Sequence, residues 1–455
     1  MAIPNNPLIS FFGSLTGAHA NSKSAFLTAL TQTLHTANIG PHTLAAHDVP
    51  ESNFNFNTLL SLSSLHGITH GFVPFLSFAS TIQITGTSGN DVLVGESTNN
   101  NYIKALGGND MITGGPFFDI IDGGSGTDTV SYASVNYAEV VNLASESAYG
   151  QGSAYGTDSD TLMNIENIIG TAFNDKITGD GNPNVLSGGA GNDVIVGANG
   201  NDTLIGGPGD DSLDGGSGTD TADYSDTTLG VTVNLTTGTA SGGDGNDTLT
   251  GIENIIGSSG NDIFTGNNDS NNIQGGDGND LFEGNVSVFG SFDNFDGGAG
   301  IDTIDYTHTQ GNIFVNLAFN SGNTSSLTNF ENVIGSNFYD SLTGDDNNNQ
   351  LEGRGGNDVI SGGGGNDKII GGIGNDTLTG GVGNDTFVFA PGDGADTITD
   401  FTHGADSIDL SAYGTNFSSI TVTASGPDSI IQAGADSITL TNVSAASVTA
   451  ADFVF

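Results

Sequence analysis

From Gly188 to Asp223 an apolar side chain returns every nine residues, at Ile195, Leu204, Leu213 and Ala222. Each stands at the eighth place of a unit whose first six places are mostly glycines and polar residues: GGAGNDVIV, GANGNDTLI, GGPGDDSLD and GGSGTDTAD. A polar, glycine-rich hexad followed by three residues of β character reads as a turn and a short strand, with the eighth side chain pointing inward. The turn glycines permit positive φ and close backbone approach. Two units make one coil turn, so side chains of like kind stack every 18 residues. A fixed short period of this kind predicts a solenoid, here an all-β one that grows by adding turns.

The pattern opens with a strand at Ile82–Thr85 and fills four blocks: Gly86–Ser131, Gly170–Asp223, Gly257–Asp305 and Gly335–Asp409. The three segments between them repeat one another. Each begins at a tyrosine (Tyr132, Tyr224, Tyr306). An alternating strand then ends in Val-Asn-Leu at Val141–Leu143, Val233–Leu235 and Val315–Leu317, and the segment closes on Ile165-Glu166-Asn167, Ile252-Glu253-Asn254 or Phe330-Glu331-Asn332. These read as longer β-coils continuing the stack, a super-repeat of about 80 residues over the smaller period. The expected organisation is an N-terminal anchor or assembly segment at 1–81, a solenoid at 82–388 and a β cap at 389–455. The first segment is partly helical by pattern. Asn21 or Ser22 caps a helix to about Ala37 with Phe26, Leu30 and Leu34 on one face, Gly40-Pro41 stops it, and Asn57–Leu65 forms a second short helix. No run of 18 apolar residues exists, so no transmembrane helix is expected.

An acidic column runs in phase with the apolar one. It comprises Asp91, Asp110, Asp119 and Asp128 in the first block, and Asp175, Asp193, Asp202, Asp211 and Asp220 in the second. The third block supplies Asp262, Asp280, Asp293 and Asp302, and the fourth Asp340, Asp358, Asp367, Asp376, Asp385, Asp396 and Asp406. Carboxylates stacked in oxygen-rich loops repel one another. A hard cation between them, with backbone carbonyls completing its shell, removes that repulsion, and Ca²⁺ suits six to eight flexible oxygen ligands. The second unit of each block carries Asn instead (Asn101, Asn184, Asn271, Asn349), a neutral oxygen that marks a weaker site or a starting turn. Glu166, Glu253 and Glu331 have the appearance of catalytic carboxylates, but their identical placement in three copies assigns them to a structural ladder.

These repeats resemble the RTX (repeats-in-toxin) family, whose nonapeptide GGxGxDxUx binds Ca²⁺ in a parallel β-structure. The resemblance spans roughly Gly86 to the C-terminus. It implies a right-handed parallel β-roll, many Ca²⁺ ions at roughly one per nonapeptide, and export by type I secretion machinery without a cleaved N-terminal signal. The final Asp452-Phe453-Val454-Phe455 resembles the acid-plus-hydrophobic tail of such secretion substrates. An ordinary last strand accounts for the same residues, and deleting Ala451–Phe455 is expected to remove little packing.

Charge sharpens this picture. The chain has 455 residues and a formal net charge of −47, with five Lys and Arg. That excludes nucleic acid as a partner and disfavours an anionic membrane surface. About 20 divalent ions would nearly neutralise it, and without them the chain self-repels. No cysteine is present, so metal rather than disulfide is the expected staple.

No enzyme motif emerges. The His66 and His70 pair is not HExxH, no GxSxG elbow exists, and the glycine-rich loops lead into three-residue strands rather than helices. Roughly 80 non-repeat residues are too few for a separate catalytic domain. The expected function is a secreted calcium-binding structural protein that self-assembles as a surface layer or matrix filament. The alternative is a Ca²⁺-dependent adhesin or polysaccharide-binding protein, and an RTX-linked enzyme comes third. Expected partners are other copies of the chain, the secretion machinery, and a cell-surface glycan or lipopolysaccharide held through residues 1–81.

Overall fold

The computed structural model describes residues 81–151, 159–284, 292–323 and 325–455. The chain divides into two units, Met1–Ala79 and Ser80–Phe455. The expected N-terminal helices and the His66–His70 pair lie outside the described residues.

Three-residue strands alternate between two sheets, as the nine-residue period requires. In one sheet Ile177 pairs in register with Ile195 and Ile195 with Leu213. In the other, Leu186 pairs with Leu204 and Leu204 with Ala222. Each step is 18 residues and parallel. The eighth-place side chains therefore stack into two apolar columns facing one another, and Ile177, Leu186, Ile195 and Leu204 are all 0% exposed. The third block fills its columns with rings: Phe282 lies 5.0 Å from Phe264, 5.6 Å from Phe295 and 5.0 Å from Phe330 between centroids.

The intervening segments depart from the expectation of simple longer coils. Each is a three-stranded antiparallel meander: Ala138–Asn142, Ser147–Gln151 and Ser159–Met163; Val231–Asn234, Thr239–Gly242 and Gly245–Thr250; Phe314–Asn316, Ser321–Gly322 and Ser325–Thr328. The chain reverses where a residue takes the left-handed region, at Glu146, Gly238 and Asn320, as tight hairpins demand. The last strand of each meander pairs with the block before it and the first with the block after. A meander therefore adds two extra strands to one sheet. Two meanders enter one sheet. The third enters the other, together with a fourth at the C-terminus (Thr421–Ser425, Asp428–Ala433, Asp436–Leu440). Among the described residues the sheets consequently stay level, at 21 and 20 strands.

Parallel pairing runs past Val388 to Ser407–Asp409. The tail then docks. Phe453–Val454 pairs with Ile408–Asp409, Phe453 is buried, and Asp452, 1% exposed, contacts the His403 ring nitrogen Nδ1 at 2.5 Å. The last residues thus form an ordinary strand, and the expectation that their loss removes little packing is corrected. Alternation within the tail turns Phe453 inward against Phe417.

Candidate metal sites

In a nonapeptide strand the sixth and eighth side chains fall on the same face, because strand side chains alternate. The Asp column therefore points inward beside the apolar column. Asp193 Oδ1 accepts the backbone N–H of Asp175, one turn earlier, at 2.7 Å, and Asp211 Oδ1 accepts that of Asp193 at 2.7 Å. On the other side Asp202 Oδ1 accepts the N–H of Asn184 and Asp220 Oδ1 that of Asp202, both at 2.8 Å. The fourth block repeats this through Asp340, Asp358, Asp376 and Asp396, and through Asn349, Asp367, Asp385 and Asp406. Asp110, Asp119, Asp128, Asp280, Asp293 and Asp302 accept in the same manner.

The glutamates close this ladder over the meanders. Glu166, Glu253 and Glu331 Oε2 accept the N–H of Asp128, Asp220 and Asp302 at 2.8–2.9 Å. They are structural rungs, as their triplicate placement implied. Two rungs escaped the sequence reading. Asp160 and Asp247, in the last strands of two meanders, accept the N–H of Asp119 and Asp211, and each also takes a hydroxyl from Tyr132 or Tyr224 at 3.1 Å. Their signal was the Asp-x-apolar spacing in Asp160-Thr161-Leu162 and Asp247-Thr248-Leu249. A second ladder was also missed. Asparagines at the fifth place accept the N–H of the following turn, as Asn174 does from Asn192 and Asn366 from Asn384.

One oxygen of each ladder carboxylate is thus used. In twelve nonapeptides the other, Oδ2, is buried with no hydrogen-bond partner: Asp110, Asp128, Asp193, Asp202, Asp211, Asp220, Asp280, Asp302, Asp358, Asp367, Asp376 and Asp385. All twelve residues are at most 3% exposed. An unpaired buried carboxylate costs several kcal/mol. Burial accordingly pushes Asp193, Asp302, Asp367 and Asp376 up to about 6, Asp211 and Asp280 to about 7 and Asp358 to about 8.

Beside eleven of these oxygens is a niche that a methyl group would fill, the exception being Asp110, whose unit opens on Ala105. A Cβ on Gly197 would lie 2.4 Å from Asp202 Oδ2 and 2.6 Å from the Gly215 carbonyl, and one on Gly362 2.1 Å from Asp367 Oδ2 and 2.5 Å from the Gly380 carbonyl. The first glycine of the unit is therefore required because it leaves room where a carboxylate oxygen and the carbonyl of the next turn converge. Among the described residues no three His, Cys, Asp or Glu side chains gather. A cation here draws mostly on backbone carbonyls with one carboxylate per turn, a donor set that fits Ca²⁺ rather than a transition metal. When bound, the ion supplies the positive charge that these oxygens lack.

The family described as RTX calcium-binding nonapeptide repeat matches nine stretches of the chain: residues 83–103, 104–136, 164–195, 187–222, 238–251, 256–286, 330–360, 352–387 and 361–398. No curated protein sequence matches. Among solved structures, the AlgE6R3 subunit of the Azotobacter vinelandii mannuronan C5-epimerase is 32% identical, over 27% of this chain and 81% of that one, at a TM-score of 0.24. The AlgE6R2 subunit of the same enzyme is 29% identical over 27% and 90%, at 0.22. The extracellular lipase LipA of Serratia marcescens is 20% identical over 44% of this chain and 40% of its own, at 0.23.

Proposed function

Because the chain belongs to the RTX calcium-binding nonapeptide-repeat family, we propose that it is a secreted structural protein that folds on Ca²⁺ and assembles with its own copies on or outside the cell. RTX repeats bind Ca²⁺, roughly one ion per repeat, and typify secreted proteins. No helix among the described residues is long and apolar enough to cross a membrane. The observation that carries the proposal is continuity: from Ile82 to Val454 the described chain is one run of coil turns and meanders on two sheets. Its ladder carboxylates serve as rungs, and the chain acts through its scaffold rather than as an enzyme.

The ends support assembly. Among the described residues Ile82–Thr85 and Val92–Val94 each pair on one side alone, and so do Thr421–Ser425 and Phe453–Val454 at the far end. Such edges recruit another strand unless covered. Ca²⁺ removes the repulsion between chains of charge −47 that otherwise keeps copies apart. Export proceeds by type I secretion machinery, and residues 1–81 serve as the anchor to a surface glycan or lipopolysaccharide.

Electron microscopy and light scattering of the purified full chain, with and without millimolar Ca²⁺, test this reading. Sheets or filaments in Ca²⁺ alone are expected. A chain that stays monomeric in Ca²⁺ would displace assembly in favour of a polysaccharide-binding adhesin.

A further inference from the structure

The ladder carboxylates fall into two classes, and one backbone angle separates them. In the first unit of each block the second place is Thr87, Thr171, Ser258 or Ser336. The N–H of that residue donates to Oδ2 of Asp91, Asp175, Asp262 or Asp340 at 2.6–2.7 Å, and its hydroxyl donates to the same carboxylate. In the second unit of each block Glu96, Asp180, Asn267 or Asp345 likewise donates its N–H to Oδ1 of Asn101, Asn184, Asn271 or Asn349 at 2.8–2.9 Å. None of these eight second-place residues has a positive φ.

The twelve units with an orphaned Oδ2 are the opposite. Their second-place residue lies in the left-handed region. In nine it is a glycine at φ 83° to 105°, among them Gly189, Gly216, Gly363 and Gly381. In the other three it is not glycine at all: Leu106 at 81°, Ala198 at 86° and Arg354 at 72°. A non-glycine residue there costs about 1–2 kcal/mol, so the conformation is imposed and is not merely a by-product of glycine. In the units with positive φ at the second place, that residue's N–H does not reach the carboxylate and Oδ2 is left bare.

We propose that the backbone conformation at the second place selects which coils take Ca²⁺, and that the opening turn of every block is metal-independent. Two units make one turn, so the pairs Asp91 with Asn101, Asp175 with Asn184, Asp262 with Asn271 and Asp340 with Asn349 each complete one self-satisfied turn. The asparagine amide supplies the positive end that a cation supplies elsewhere. Nδ2 of Asn184, Asn271 and Asn349 donates to the carbonyls of Glu166, Glu253 and Glu331 at 2.8, 2.9 and 3.1 Å. In the last three blocks this turn follows a meander after one short strand, Asn167–Ile169, Asn254–Ile256 or Asn332–Ile334. Each block thus has a starter on which calcium-dependent turns add, which lowers the cost of ordering the first turn. Asp406 belongs with the capped class, since the Thr402 N–H donates to its Oδ2 at 2.7 Å.

This inference rests on the reading that bare Oδ2 atoms hold Ca²⁺, and the test separates the two. Bound Ca²⁺ per full-length chain is counted by equilibrium dialysis and elemental analysis, with circular dichroism recording folding. The variant Thr171→Gly/Ser258→Gly/Ser336→Gly removes three hydroxyl donors and frees the second place to take positive φ, while keeping the niche, which at Gly170 already has Asp175 Oδ2 and the Gly188 carbonyl on its walls. It should gain about three ions. The variant Ala198→Thr/Arg354→Thr places β-branched residues where positive φ is disfavoured, and should lose about two. Unchanged counts in both variants, beside a wild-type chain that binds many ions, would overturn the selection rule and leave calcium binding standing. A wild-type chain that binds none would overturn the underlying reading instead. Since either variant can fail to fold, a crystal structure of the wild-type chain grown in Ca²⁺ decides the same question directly. Ions are expected beside Asp202 and Asp367 and none beside Asp175, Asp262 and Asp340, whereas ions beside those three refute the proposal.

Discussion

Protons should substitute for calcium in part. Without metal, folding places Asp193, Asp211 and Asp358 where burial raises them to about 6, 7 and 8, against about 4 in an unfolded chain. Between pH 4 and 8 the folded ladder holds protons that the unfolded chain has released, so metal-free stability falls as pH rises through that window. The contribution is fully present below about pH 4 and lost as each folded value is passed. Asp193 is 1% exposed, and ionising it in place costs about 3 kcal/mol at 1.36 kcal/mol per unit. Four or five such residues together match the whole 5–15 kcal/mol stability of an ordinary domain. Metal-free chain at pH 7.5 should therefore be unfolded and should gain β signal by circular dichroism on acidification towards pH 4.5. General charge neutralisation is controlled by 1 M NaCl at pH 7.5, where screening reaches about 3 Å but no buried carboxylate gains a proton. A β signal independent of pH in metal-free chain, or one restored equally by salt, would refute the buried-ladder argument.

Further expectations concern single positions. Asp202→Ala should raise the Ca²⁺ midpoint of folding more than Asn184→Ala, which forfeits hydrogen bonds worth about 1–3 kcal/mol and no cation; equal midpoints would contradict the assignment. Gly362→Ala sets a methyl 2.1 Å from Asp367 Oδ2, so it should cost about 1–3 kcal/mol and one bound ion, read by thermal melting and ion count. Deleting Ala451–Phe455 should reduce secretion and, because Phe453 is buried on Ile408, also lower the melting temperature of purified Ca²⁺-loaded chain; undiminished secretion would place the export signal elsewhere.

The period legible in the sequence carried most of the fold. Ile195 and Leu213 sit where an 18-residue coil puts them because nothing but backbone pairing and a two-residue inward face determines their place. The meanders were misread because alternation in Val231–Asn234 is the same for a parallel coil and a hairpin, and the reversal depends on residues such as Glu146, whose positive φ no propensity announces. The site was legible as an Asp column and illegible in its two classes. Asp175 and Asp193 occupy the same place in their units, and what separates them is a peptide orientation at Thr171 and Gly189. Ala198 shows why composition alone misleads: it behaves as a glycine because its turn is pinned from both sides.

The central claim is that the ladder folds on a cation that its orphaned oxygens await. Far-UV circular dichroism of metal-free full-length chain, titrated with Ca²⁺ at pH 7.5, tests it most directly. A disordered spectrum should convert cooperatively to a β spectrum, with a midpoint on the order of 0.1–1 mM, the range of extracellular calcium modules. A β spectrum already present without metal and unchanged by Ca²⁺ would contradict it.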